Sequence, residues 1–278
     1  MELRGKVALV TGASRGVGAA TAIALAEAGC DVACAARSTR AAPQRTAGTL
    51  DETVARVEAC GQKGLALATN LAAEEEVVRM VQRAADHFGR LDILVNNAAI
   101  TFVGDLGIPL KRHDLVMEVN LRAPLIAIRE ALPFLRAQGG GAIVNVSSLA
   151  GLTYQPALMS YGISKAGLER LTVHAANELA PDRIAVNCFR IDVPVASEGF
   201  VANTPGADHS NWEPGEVAAE GIVWLLRQPV EFSGRLLSML ELRQRHGIMR
   251  SRVARPAAGE PILAPQDGIA PPRENLFG

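Results

Sequence analysis

The chain has 278 residues, 49% of them hydrophobic, enough to bury the core of one large α/β domain. Its 28 basic and 29 acidic side chains leave a net charge of −1, which gives no basis for a nucleic acid or an anionic membrane as partner and favours a small ligand. No uncharged apolar run reaches the roughly 20 residues needed to span a bilayer, and Cys30, Cys34, Cys60 and Cys188 lack C-x-x-C pairing, which argues against a disulfide framework or a zinc site.

The first ten residues run straight into a strand-like stretch without the basic, apolar and small-residue succession of a signal peptide, so a cytoplasmic protein is expected. Aliphatic runs at 7–11, 32–36, 65–69, 93–96, 142–147, 184–189 and 236–238 read as strands buried on both faces. Between them, 17–28, 50–59, 74–88, 114–137, 157–179 and 216–227 carry helical composition and patterning. This alternation predicts βαβ units and a single Rossmann-type doubly wound parallel sheet of seven strands, helices on both faces and ligands beyond the carboxyl ends of the strands. Residues 98–113 and 191–214 are too long for simple turns and should lie at that edge. Residues 38–48 read as a surface loop. A domain over 1–245 is followed by a tail over 246–278, with Pro256, Pro261, Pro265, Pro271 and Pro272.

Directly after the first strand comes Thr11-Gly12-Ala13-Ser14-Arg15-Gly16-Val17-Gly18, opening onto an alanine-rich helix. Glycines let the backbone turn tightly beside a bound group, and the helix N-terminus offers free N–H donors to a pyrophosphate, so a dinucleotide is expected here. NAD-binding sheets usually place a carboxylate at the end of the second strand for the ribose hydroxyls. This chain has Ala36, Arg37 and Ser38 there, with Arg15 in the turn, a set suited to a 2′-phosphate. NADP(H) is the expected cofactor, with NAD(H) the alternative.

Moving a hydride between an alcohol and nicotinamide also requires moving the hydroxyl proton, and a phenol with a pKa near 10 needs a cation beside it to serve as the base. Tyr161 and Lys165 stand one helical turn apart in Tyr161-Gly162-Ile163-Ser164-Lys165. Taken with the glycine turn, Asn96-Asn97-Ala98-Ala99 and Asn145-Val146-Ser147-Ser148, in this order, the sequence over about residues 5–189 resembles a classical short-chain dehydrogenase/reductase. The resemblance implies Tyr161 as general acid/base, and Ser148 rather than Ser147 as the hydroxyl that binds the substrate oxygen. It further implies Lys165 on the nicotinamide ribose, Asn120 holding a water in a proton relay, and Asn97, Ala98 and Ala99 in the cofactor wall.

The chain departs from the family pattern in three places. Asn70-Leu71 replaces the aspartate expected beside the adenine, where the amide oxygen can still accept. Ala99 replaces a glycine. After the sixth strand, Arg190-Ile191-Asp192-Val193 replaces Pro-Gly, with Val193 as the nearest equivalent for the carboxamide contact and Arg190–Asp192 as an expected ion pair.

Residues 100–110 and 191–214, including Phe200, His209 and Trp212, should set the substrate, expected to be a small alcohol or carbonyl compound. The five histidines lack ligand spacing, so no metal is expected. By resemblance, the long helices 114–137 and 157–179 would form a homodimer or homotetramer. A non-catalytic cofactor sensor or scaffold is the rival reading, motivated by Arg190 and Asp192 near the nicotinamide pocket.

Overall fold

A computed structural model describes residues 1–204 and 206–253. Seven strands, β1 Val7–Thr11, β2 Asp31–Ala36, β3 Gly64–Ala68, β4 Ile93–Asn96, β5 Gly141–Ser148, β6 Ile184–Ile191 and β7 Leu236–Ser238, form one sheet. Its order is β3-β2-β1-β4-β5-β6-β7, and every neighbouring pair is parallel. β1 is buried along its whole length because both faces of a parallel sheet are covered. One face packs Val10, Val95, Val144 and Phe189 against Leu25, Ile222 and Leu226. The other packs Leu9, Leu94, Ile143 and Val186 against Val81, Ile128 and Ala175. The chain reverses its winding between β1 and β4, so the crevice beyond Thr11 and Asn96 is where such a sheet takes a ligand.

The helices are α1 Gly16–Glu27, α2 Leu50–Ala59, α3 Glu74–Phe88, α4 Leu110–Met117, α5 Ala123–Ala137, α6 Met159–Glu178, α7 Glu198–Asn203, α8 Gly215–Arg227 and α9 Met239–His246. The helix expected from residue 114 begins at Leu110 and passes through one π-helical turn, Glu118–Arg122, before α5. Pro124, which has no N–H to donate, stands at the head of α5. α6 starts after Ala157, whose φ of 60° is left-handed and incompatible with a helix interior. α7 and α9 were not foreseen. Each is short and held by a serine cap, Ser197 accepting from Phe200 N and Ser238 from Glu241 N.

Asp92, with its side chain 2% exposed, ties the starts of β1 and β4 together. It accepts from Lys6 Nζ at 3.1 Å, Val7 N at 3.0 Å, and Arg90 Nε and Nη2 at 2.8 and 2.7 Å. Burial alone would raise its carboxyl, but the bonds from Arg90, Val7 and Lys6 outweigh it and hold the group below its ordinary value. Lys6 and Arg90 stay about a third exposed, so water can serve them when the anion is gone. Asp92→Asn is therefore expected to cost about 2 kcal/mol at pH 7, below the 3–5 kcal/mol of a fully buried pair. Urea unfolding checks this. The wild-type advantage should fade as pH falls through the lowered folded pKa, because the unfolded state then binds the proton first.

Residues 246–253, the described part of the expected tail, pack onto the domain. Met249 is buried in the core, its carbonyl accepts from Arg243 Nε at 2.8 Å, and Arg252 N donates to Glu213 Oε2 at 3.0 Å. The tail prolines from Pro256 onward lie outside the described residues. Among the described residues no helix is long and apolar enough to cross a membrane.

Candidate active site

The glycine turn joins β1 to α1 under close backbone approach. At Gly12, φ is +70°, and a Cβ would lie 2.8 Å from both Ala98 Cα and Asn97 Nδ2. A Cβ on Gly18 would collide with the Gly12 carbonyl oxygen. Side chains are thus excluded at Gly12 and Gly18, and α1 begins with no side-chain cap, leaving its first N–H groups for an anion. Ser14 and Val17 are buried, Val17 within the core. Gly16 approaches Ser197 and Glu198 at the head of α7, which brings the 191–214 connection down onto the turn.

Arg15 and Ser38 converge on one acceptor: Arg15 Nη2 and Ser38 Oγ donate to the Gly48 carbonyl oxygen at 3.0 and 2.8 Å. The expected surface loop 38–48 therefore closes over the end of β2. Arg15 Nε is buried without a partner among the described residues. Burial lowers the Arg15 pKa, Glu198 opposes this, and nearby Arg37 lowers it further. Arg37 itself is exposed. A buried unpaired N–H and two neighbouring cations make a cradle that fits an anionic group, and the glycine turn fits the pyrophosphate of a dinucleotide.

Asn97 is pulled into the sheet edge. Its Nδ2 donates to Thr11 O at 2.8 Å, while the backbone N–H groups of Asn97 and Ala98 both donate to Thr11 Oγ1 at 3.1 Å. The asparagine amide holds β4 to β1, and the backbone and small side chains of Ala98 and Ala99 remain to form a wall. Thr11 was not singled out in the sequence, yet its hydroxyl organises this corner. Asn70 is exposed; its Oδ1 accepts from Ala72 N at 3.2 Å, one bond of a turn leading to α3, with a second lone pair left over. Leu71 packs partly against the core cluster that holds Leu9 and Leu94.

Tyr161, Lys165, Ser148 and Asn120 come together from three elements. α6 carries Tyr161 and Lys165, and Lys165 Nζ stands 5.6 Å from the tyrosine ring centroid. Ser148, at the end of β5, accepts from Ala150 N at 3.3 Å and lies close enough to Tyr161 for its hydroxyl to influence the phenol. Burial raises the Tyr161 pKa and the nearby Ser148 hydroxyl lowers it, the balance standing above the ordinary phenol value. Lys165 is 2% exposed and donates to Val146 O at 2.7 Å. Desolvation pushes its pKa down to about 8. Cys188 and Glu169 act in the opposite direction. Asn120, in the π-helical turn, is fully buried: Nδ2 donates to Ile100 O at 2.9 Å and Ser164 Oγ at 3.1 Å, and Oδ1 accepts from Ile100 N at 2.8 Å. Both amide hydrogens are spent on pinning the 98–113 connection to α6, so a relay water would have to use its remaining acceptor capacity.

The expected Arg190–Asp192 ion pair is replaced by another. Arg190 forks onto Glu169, Nε to Oε1 at 2.9 Å and Nη2 to Oε2 at 2.8 Å, whereas Asp192 Oδ1 accepts from Leu240 N at 3.1 Å. Arg190 follows Val186 and Cys188 on the α6 side of β6, where Glu169 waits, whereas Asp192 lies just past the last strand residue, Ile191, and is released from that alternation. Ser147 Oγ also donates to Glu169, at 2.8 Å, leaving Ser148 as the serine at Tyr161. Glu169 was missed, although its place four residues after Lys165 marked it as a same-face neighbour. The Val193 side chain is buried in the core, so only its backbone is left to meet a carboxamide. In the second long connection Phe200 stacks on Trp212 at 4.9 Å between centroids, and His209 meets Trp212 edge-on at 4.3 Å.

Residues 6–193 match the family described as short chain dehydrogenase. Mouse hydroxysteroid dehydrogenase-like protein 2 is 30% identical over 267 residues, 94% of this chain and 54% of that protein, so the chain spans about half the length of this relative. The 3-oxoacyl-(acyl-carrier-protein) reductase of Synechocystis sp. is 36% identical over 215 residues, covering 76% of this chain and 80% of that protein. A metagenomic short-chain oxidoreductase solved in complex with NADP superposes with a TM-score of 0.71 at 29% identity, over 86% of this chain and 99% of that one. A short chain dehydrogenase from Mycobacterium paratuberculosis, solved bound to NAD, gives a TM-score of 0.73 at 25% identity over 86% and 97%. On this match and this fold, the chain belongs to the short-chain dehydrogenase/reductase family of oxidoreductases.

Proposed function

We propose that the chain is an NADP(H)-linked oxidoreductase interconverting a secondary alcohol and a ketone, or a related carbonyl pair, with Tyr161 as general acid/base. The observation that carries this reading is Tyr161 standing beside Ser148, with the buried Lys165 ammonium 5.6 Å from its ring centroid. A substrate carbonyl oxygen placed between the two hydroxyls would accept from both. Tyr161 would pass its proton to that oxygen during reduction and take it back during oxidation, and Ser148 would fix the oxygen's position. Lys165, as ammonium, would stabilise the phenolate and reach the nicotinamide ribose. The bound dinucleotide would supply or accept the hydride. Asn120 would hold the local backbone and, through its spare acceptor capacity, a relay water. Gly12, Ser14, Gly16, Val17 and Gly18 would cradle the pyrophosphate, Asn70 and Leu71 would flank the adenine, and Asn97, Ala98, Ala99 and the Val193 backbone would line the remainder.

Arg15, Arg37 and Ser38 favour NADP(H), because a 2′-phosphate would satisfy Arg15 Nε and separate two neighbouring cations. Arg15→Leu should lower kcat/KM with NADPH by about tenfold or more, the worth of a charge-assisted hydrogen bond, and leave the NADH value nearly unchanged. An equal loss with both cofactors would sink the assignment. NAD(H) use is the alternative. The sensor or scaffold reading loses its motive, since Arg190 is neutralised by Glu169 rather than presented to the nicotinamide pocket.

An alcohol and carbonyl panel followed by NADPH absorbance tests the whole reading. The stacked Phe200 and Trp212 support an apolar wall to the substrate site. Exposed Leu110, Leu115, Leu125 and Ile163 on α4, α5 and α6 support a homodimer or homotetramer through these helices.

A further inference from the structure

Glu169 lies one turn beyond Lys165 on α6 and is 7% exposed; Arg190 on β6 is 6% exposed. One carboxylate therefore holds three elements. Its helix carries Tyr161 and Lys165. Its Oε1 takes the hydroxyl of Ser147, the residue next to Ser148 on β5. Both oxygens take the guanidinium of Arg190, and Ser147 and Arg190 face each other in the β5–β6 register. As a source of stability such a pair is poor, since apolar residues of similar volume commonly do as well or better. What it does supply is orientation, because a bidentate fork fixes distance and plane together.

We propose that Glu169, locked by Arg190 and Ser147, is a positioning residue that sets α6 against β5 and so aligns the Tyr161 hydroxyl with Ser148 and Lys165. This rests on the catalytic reading of Tyr161. The surroundings leave the task to this carboxylate. Cys188 faces Lys165 from β6, but burial pushes its thiol up to about 12, so it is uncharged at pH 7. Asp192 accepts from Leu240 N. His113 of α4 bonds Ser160. In the π-helical turn, Glu118 and Arg122 are exposed and paired with each other, and Arg122 also with Glu74.

The sequence holds two tyrosines, so Tyr154→Phe leaves Tyr161 as the single site for fluorotyrosine and one fluorine NMR resonance. Titrating that resonance reads the phenol without any substrate. In this background E169M/R190M, which removes both charges together, should fold and should raise the Tyr161 midpoint by about one pH unit, since the Ser148 hydroxyl placed beside it lowers it. Ser147→Ala, which takes away one bond and no charge, should move it less and in the same direction. With the identified substrate, E169M/R190M should lower kcat by about tenfold or more, within the range caused by small misplacements, and leave the NADPH KM within about twofold. An unmoved midpoint in both variants overturns the proposal. If wild-type protein turns over no substrate yet the midpoint moves, the positioning role stands and the catalytic reading falls.

Discussion

Tyr161→Phe should lower kcat for carbonyl reduction by about a thousandfold, within the range supplied by a positioned acid or base, and leave NADPH affinity within a few-fold. The substitution removes one oxygen from a ring that keeps its place over Lys165. Ser148 beside it is not fully buried, so water can serve its hydroxyl once the phenol is gone. The fold is therefore preserved, and the loss falls on proton transfer. Steady-state kinetics and fluorescence titration with NADPH separate the two effects. Full turnover in a variant that binds NADPH normally would show that another group moves the proton.

Lys165→Met should abolish turnover to a similar degree and change how stability depends on pH. The folded protein holds this ammonium with a pKa of about 8, against an ordinary value of 10.5. The unfolded chain binds the proton more readily, so burial of the lysine destabilises the fold most below pH 8. That penalty shrinks between pH 8 and 10.5 and is gone above. Its full size is on the order of 3 kcal/mol. Against it stands the bond from Nζ to Val146 O, whose loss costs about 1–2 kcal/mol by leaving a buried carbonyl unserved. At pH 7 the variant should equal or exceed wild-type stability by up to about 2 kcal/mol. By pH 10.5 the advantage should vanish or reverse. Urea midpoints at the two pH values decide it; parallel behaviour of the two proteins would mean that the lysine is not held at a lowered pKa.

The fold was legible because a doubly covered parallel sheet leaves a plain signature: short aliphatic runs at regular spacing with helical stretches between them. The seven predicted strands agree with those observed to within a residue or two at their ends. Gly12, Gly18, Tyr161, Lys165 and Ser148 were legible for a related reason, since their spacing is set by local geometry. Contacts between distant elements left no such mark. Nothing in the run Arg190–Val193 says that Arg190 turns toward α6 while Asp192 caps α9; where β6 ends and how it pairs with β5 and β7 decides this. The convergence of Arg15 and Ser38 on Gly48 likewise depends on how a loop folds back, and loop paths carry no periodicity. The π-helical turn around Asn120 was hidden because it inserts one extra residue into a helix without altering its composition.

The Glu169–Arg190 pair also bears on how this sequence can change over time. Either substitution alone strands a buried charge, so a lineage moving toward two neutral residues must pass through a form less fit than its start or its end. Among relatives, positions 169 and 190 should consequently be inherited together, both charged or both neutral. A library varying the two codons jointly should recover far more folded clones than two libraries that vary them one at a time.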